Sequence, residues 1–150
     1  MKRTLSILLV TCLVMALAAG CGQKQNNYDL AELSKKLEAC GAFSDILSEV
    51  NVKAASSLYG FDAADVSECR LLCSTGATTE EIGLFKCVDE AAAARVKTAA
   101  EARVASQRTA YESYAPLEMP KLDDAIVKQD GVYVFYIVSA KAEAAAAAIK

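Results

Sequence analysis

Apolar positions along this 150-residue chain are spaced differently from one stretch to the next. From Thr4 to Gly20 the chain carries no charge, and its apolar residues run almost unbroken behind Lys2 and Arg3. Further on they recur at three- and four-residue steps, as on one face of a helix, or gather in short runs of strand length. Asp29 caps a helix to Cys40, with Leu30, Leu33 and Leu37 on one face and Gly41 as its stop. Phe43, Ile46, Leu47 and Val50 favour a second helix by spacing. Asn51 opens a third that closes at Leu58-Tyr59-Gly60, and Asp62 and Asp65 fall in a turn.

Val66–Cys73 and Ile82–Val88 read as strands around a hydroxyl-rich turn, Ser74–Thr79, with Gly76 inside it. Thr78 and Glu81 have capping-box spacing, but Gly83 and the short run to Asp89 leave too little length for a helix. Asp89 caps a long helix whose stripe is Ala93, Val96, Ala100, Val104, Gln107, Tyr111 and Tyr114. The stripe is mostly small, so a sheet can approach it closely. The helix is expected to end at Tyr114-Ala115-Pro116, with Pro116 and Pro120 holding an extended connection.

Asp130-Gly131 between Ala125–Gln129 and Val132–Ser139 marks a second hairpin, expected as a type I′ turn. Its last strand is apolar on both faces, so it is central or has an interface on its second face. Lys141–Lys150 is an alanine-rich terminal helix. The expected fold is α+β: two hairpins in one antiparallel sheet, a long helix across it, and N-terminal helices flanking.

The first stretch is a different kind of element. Its length falls short of a membrane span, and a charged start followed by small residues marks an export signal. Leu17-Ala18-Ala19-Gly20-Cys21 reads as a lipobox, with cleavage before Cys21 and a diacylglycerol thioether on its thiol. Leu17 stands four places before the cysteine instead of the commoner three. Ala16-Leu17-Ala18 also forms an A-x-A site, whose use would release a soluble protein. Lipidation is the preferred reading, with Gly22–Asn27 as a polar tether to one domain over 29–150. The expected location is the outer face of the cell membrane.

Two of the 16 basic residues and none of the 19 acidic ones lie in the leader, which leaves a net side-chain charge of −5. An acidic chain without a basic cluster is a poor nucleic-acid binder. It also lacks the charge to hold an anionic membrane, so the lipid must do that. Histidine is absent, which excludes Ser-His-Asp and Cys-His catalysis and the commonest zinc and iron ligand sets. No cofactor is expected.

Leu58-Tyr59-Gly60, Ser74-Thr75-Gly76-Ala77-Thr78-Thr79-Glu80-Glu81-Ile82, Phe85-Lys86, Arg103, Gln107, Tyr114-Ala115-Pro116 and Pro120-Lys121-Leu122 occur in that order. Together they resemble an uncharacterised family of small lipoproteins from Gram-positive, largely anaerobic bacteria. The resemblance covers about residues 29–140 and implies an exported, lipid-anchored α+β domain, with no activity attached.

The remaining candidates are weighed by residue type. Cys40, Cys69, Cys73 and Cys87 suit a metal site, disulfides or buried apolar positions; no Cys-x-x-Cys pair favours the first. If the first hairpin closes with a three-residue loop, Ala77–Thr79, Cys69 faces Cys87 and that pair alone can bridge. Ser74, Thr75, Thr78 and Thr79 near Lys86 would allow histidine-free acyl transfer, though a turn already explains the hydroxyls. Glu80-Glu81 and Asp123-Asp124 are read as solvated turn or cap residues. Arg103 and Gln107, one helical turn apart, are read as a polar contact under the sheet ahead of a carboxylate- or partner-binding pair. The function expected is a non-enzymatic binding module with an unknown protein or small-molecule partner. It would act through a sheet face or through the Ser74–Thr79 turn, with Gly76 at its tip. The alternative is a hydrolase or transferase using Ser/Lys or carboxylates.

Overall fold

The computed structural model describes residues 26–150, so the leader and Cys21 lie outside the described residues. Helix α1 (Leu30–Ala39) begins where the Asp29 carboxylate accepts the Glu32 amide at 2.9 Å, and it buries Leu30, Leu33 and Leu37. Helix α2 (Val52–Tyr59) is capped by Asn51 and stopped by Gly60 in the left-handed region. Between them the expected helix over 43–50 does not form. Ser48–Val50 is a short strand, β1, preceded by a bend. The cause is an acceptor distant in sequence: the Ser44 and Asp45 amides both donate to the Glu80 carboxylate, at 2.8 and 2.9 Å. Periodicity cannot register such a partner.

Strands β2 (Val66–Cys73) and β3 (Glu81–Cys87) form the first hairpin, as expected. Helix α3 (Glu90–Tyr111) follows, capped by Asp89. The proline-containing connection is not extended: Pro116–Glu118 is a 3-10 turn and Met119–Asp123 a short helix, α4. Both prolines sit in first-turn positions, where a missing N–H costs nothing. Strands β4 (Ile126–Asp130) and β5 (Tyr133–Val138) form the second hairpin, and α5 (Ala142–Ala148) closes the described chain. Asp130 pairs with Tyr133, so the loop is Gly131–Val132. Gly131 has φ +57° and no non-glycine residue among those described has positive φ, so the turn is not type I′. The β-branched Val132 disfavours the second positive φ that type I′ demands.

The strands form one antiparallel sheet in the order β1-β2-β3-β5-β4. On one face Leu71, Phe85, Val134 and Tyr136 pack with Ala92, Ala93, Val96 and Ala100 of α3. On the other, Leu72, Ile82, Leu84, Phe135 and Ile137 pack with Leu30, Leu33 and Leu37 of α1 and with α5. This explains the doubly apolar β5: it is an inner strand covered on both sides. The helices cover the inner strands on both faces, while Glu68 and Arg70 of β2 and Glu49 of β1 stay open on the α1 side.

The first loop is longer than three residues. Cys73 pairs with Glu81, and the Ser74 amide donates to the Glu80 carbonyl at 3.1 Å. Cys69 therefore faces Phe85, while Cys87 faces Val66 across a register shift between Val66 and Glu68. The expected Cys69–Cys87 alignment is corrected, and Cys40, Cys69, Cys73 and Cys87 are all free thiols.

Candidate functional site

The Ser74–Thr79 turn sits at the end of the sheet where β2 and β3 meet, and bonds from separate segments fix its shape. Ser74 Oγ donates to the Thr78 carbonyl at 2.6 Å and accepts the Gly76 amide at 3.2 Å. Gly76 has φ +94°, a value that suits glycine. From the end of α3, Tyr111 Oη donates to the Gly76 and Thr78 carbonyls at 3.0 and 3.2 Å. Thr78 Oγ1 donates to Asp45 at 3.2 Å. The Thr79 amide and hydroxyl donate to Glu118 Oε2 at 2.9 and 3.1 Å.

Beneath the turn, Glu80 is 1% exposed and accepts from the Ser44 amide, the Ser44 hydroxyl (2.6 Å), the Asp45 amide and Lys121 Nζ (3.0 Å). Lys121 also reaches Glu118 at 3.0 Å. Burial opposes charge on Glu80, but the bonds from Ser44, Asp45 and Lys121 outweigh it and hold its pKa below the ordinary value. Glu118 behaves in the same way, through Thr79 and Lys121. The two carboxylates and one ammonium thus form a charged clamp that ties the turn to the bend at 43–47 and to α4.

Around this clamp stand exposed apolar side chains: Ile46 (83%), Tyr114 (75%) and Leu117 (89%). Each comes from a segment that bonds to the turn. Ile46 follows Asp45, Leu117 precedes Glu118, and the Tyr114 ring lies edge-on to Tyr111 at 6.1 Å. The loop tip is polar and exposed from Thr75 to Ala77, and the three apolar side chains lie on the segments that hold it, an apolar rim in this sense.

The other sequence candidates lie elsewhere. Lys86 is at the far end of β3, about 17 Å along the strand from Glu81, with its Nζ 5.7 Å from the Tyr133 ring centroid. Lys86 is therefore not beside the hydroxyls of the 74–79 turn. Arg103 and Gln107 lie under the sheet, as expected, and both donate to Glu81 Oε2, at 3.0 and 3.2 Å. Tyr136 Oη completes the chain by donating to Gln107 Oε1 at 2.5 Å. Glu81 Oε1, Arg103 Nε and Tyr59 Oη are buried without partners. Burial pushes the Cys69 and Cys73 thiols up to about 12 and Cys87 to about 11, so they stay protonated and are poor nucleophiles. Among the described residues no group of His, Cys, Asp or Glu is arranged to hold a metal ion. A groove of ≈ 340 Å³ between α1 and the β1 edge is lined by Lys35, Glu38, Leu47, Glu49 and Arg70, where Arg70 and Glu49 neutralise each other at 2.7 Å.

Sequence reasoning missed the clamp, because Glu80-Glu81 reads as a solvated pair. One signal was present: Glu81 shares strand parity with the inward-facing Gly83 and Phe85. Nothing comparable marked Glu80, Lys121 or the rim.

Residues 39–139 match the family described as Domain of unknown function (DUF4358). The chain belongs to the DUF4358 family. The DUF4358 match runs from the end of α1 to just past β5, and it includes the turn, the clamp and the Glu81 network. No curated protein and no solved structure matches the chain.

Proposed function

We propose that this DUF4358 protein is a lipid-anchored, extracytoplasmic binding module that meets its partner through the 74–79 turn and its apolar rim. The anchor reading is supported by Lys2 and Arg3, the uncharged run that follows, and Ala18-Ala19-Gly20 before Cys21. A diacylglycerol group supplies two acyl chains, enough for stable attachment.

The observation that carries the binding role is that Ile46, Tyr114 and Leu117, all strongly exposed, lie on the segments bonded to one loop held in place by buried charges. Large apolar side chains on a preorganised surface lose little entropy on docking. The enzymatic alternative has one supporting contact, the exposed Ser44 hydroxyl 2.6 Å from Glu80. A carboxylate whose pKa is lowered is a weak base for that hydroxyl, and Lys121 is already committed to two carboxylates.

Two measurements test the proposal. Intact mass of the native protein is expected to show a diacylglyceryl group on Cys21, absent from Cys21→Ala; an unlipidated N-terminus at Ala19 contradicts the anchor. Co-purification from the native membrane compares the parent with Ile46→Ser/Tyr114→Ser/Leu117→Ser and with Val88→Ser at the opposite end. The partner is expected to be lost only with the triple variant, at unchanged melting temperature. Its retention there contradicts the binding surface.

A further inference from the structure

The first described residues are bonded to the second hairpin, at the end of the sheet away from the 74–79 turn. Asn26 Nδ2 and Tyr28 Oη both donate to Asp130 Oδ2, at 3.0 and 2.6 Å. Tyr133 Oη donates to Asn27 Oδ1 at 2.9 Å. The Tyr28 ring packs edge-on against Tyr133 and Phe135, with centroids 5.1 Å apart in each case. Hydrogen bonds from Tyr28 and Asn26 hold the Asp130 carboxyl below its usual range, so it stays an anionic acceptor. These contacts join residues more than a hundred positions apart and are unnecessary for a free polar tether.

We infer that Asn26–Tyr28 is a strap that sets the orientation of the anchored domain, with the β4–β5 hairpin toward the bilayer and the 74–79 turn away from it. The inference rests on lipid at Cys21, as proposed above. Four residues separate Cys21 from Asn26, and the five steps between them reach no more than about 18 Å. Strand β3 alone spans about 20 Å from the hairpin end to the turn. A tether shorter than the sheet, fixed at the hairpin end, keeps that end nearer the membrane. Charge does not draw the hairpin end to an anionic bilayer: Lys86, Arg95 and Lys128 there are outnumbered by Asp62, Asp65, Asp89 and Asp130. With the turn outward, its rim is open to a macromolecule in the extracytoplasmic space and turned from the host bilayer.

The test uses the lipidated protein in phosphatidylcholine–phosphatidylglycerol vesicles containing a rhodamine lipid. A donor dye is attached through an azide-bearing residue at Val88, beside the hairpin, or at Ala77, at the turn. Energy transfer from Val88 is expected to exceed that from Ala77 severalfold. In Asn26→Ala/Asn27→Ala/Tyr28→Phe, which keeps the ring packing but removes the bonds, the difference is expected to shrink. Equal transfer from both sites, or stronger transfer from Ala77, overturns the orientation. A full difference in the triple variant overturns the strap as its cause. Intact mass of the same sample separates the two readings: lipid present with equal transfer sinks only the orientation, while lipid absent sinks the anchor and the orientation with it.

Discussion

At the residue scale, the Glu81 network contains two buried tyrosines with different expected behaviour. Tyr136 Oη has a partner in Gln107, whereas Tyr59 Oη has none. Burial, and then the nearby Glu81 charge, push the Tyr59 phenol well above its ordinary pKa, so it remains a neutral hydroxyl. Tyr136→Phe strands the Gln107 oxygen and is expected to cost roughly 1–3 kcal/mol. Tyr59→Phe removes a hydroxyl that makes no well-formed hydrogen bond, though it faces the Glu81 carboxylate, and is expected to cost less than Tyr136→Phe. Thermal melts of the two variants check this, and a larger loss for Tyr59→Phe contradicts the assignment. The sequence showed part of this arrangement. Arg103 and Gln107 stand one turn apart on an otherwise small-residue stripe, so a polar contact under the sheet was readable. Their acceptor was not, because a Glu-Glu pair beside a turn has the same composition whether solvated or buried.

At the element scale, Glu80 decides the conformation of 43–50. It replaces the intrahelical acceptors those amides would otherwise seek and so converts a helical spacing into a bend and β1. Its pKa is lower in the folded protein than in the unfolded chain. Its contribution is therefore complete above the unfolded carboxyl range, roughly pH 4.3, and is lost as pH falls through the folded value. Melting temperature against pH for the parent and Glu80→Gln is expected to show a gap near neutrality that closes in acid. A gap that widens in acid reverses the sign and contradicts the clamp. Hydrogen exchange in the same variant is expected to rise selectively at residues 44–50. The elements that sequence reasoning placed correctly, from the Asp29-capped helix to both hairpins, are those whose signals are local: caps, period and turn residues. The 43–50 segment failed because its acceptor lies more than thirty residues away. The thiol alignment failed because a turn's composition does not fix its length, and one changed loop length resets every cross-strand pair.

At the scale of the whole molecule, helices cover the inner strands on both faces of the sheet, and the first turn and the second hairpin lie at its two ends. One end carries the strap that follows Cys21; the other carries the turn, the clamp and the rim. That polarity is invisible in linear order, since Asn26, Asp130 and Tyr133 at one end and Ser44, Glu80 and Lys121 at the other are scattered along the chain. The loss of histidine chemistry was readable from composition alone. The surface proposed for docking was not, because exposure of Tyr114 and Leu117 depends on where α3 and the proline turns end. The most direct measurement is photo-crosslinking in the producing cell, with a benzophenone residue at Leu117, Tyr114 or Val88. The same discrete adduct is expected from Leu117 and Tyr114, weakened by Ile46→Ser and absent from Val88. An adduct from Val88 alone, or none from the rim, contradicts the binding surface.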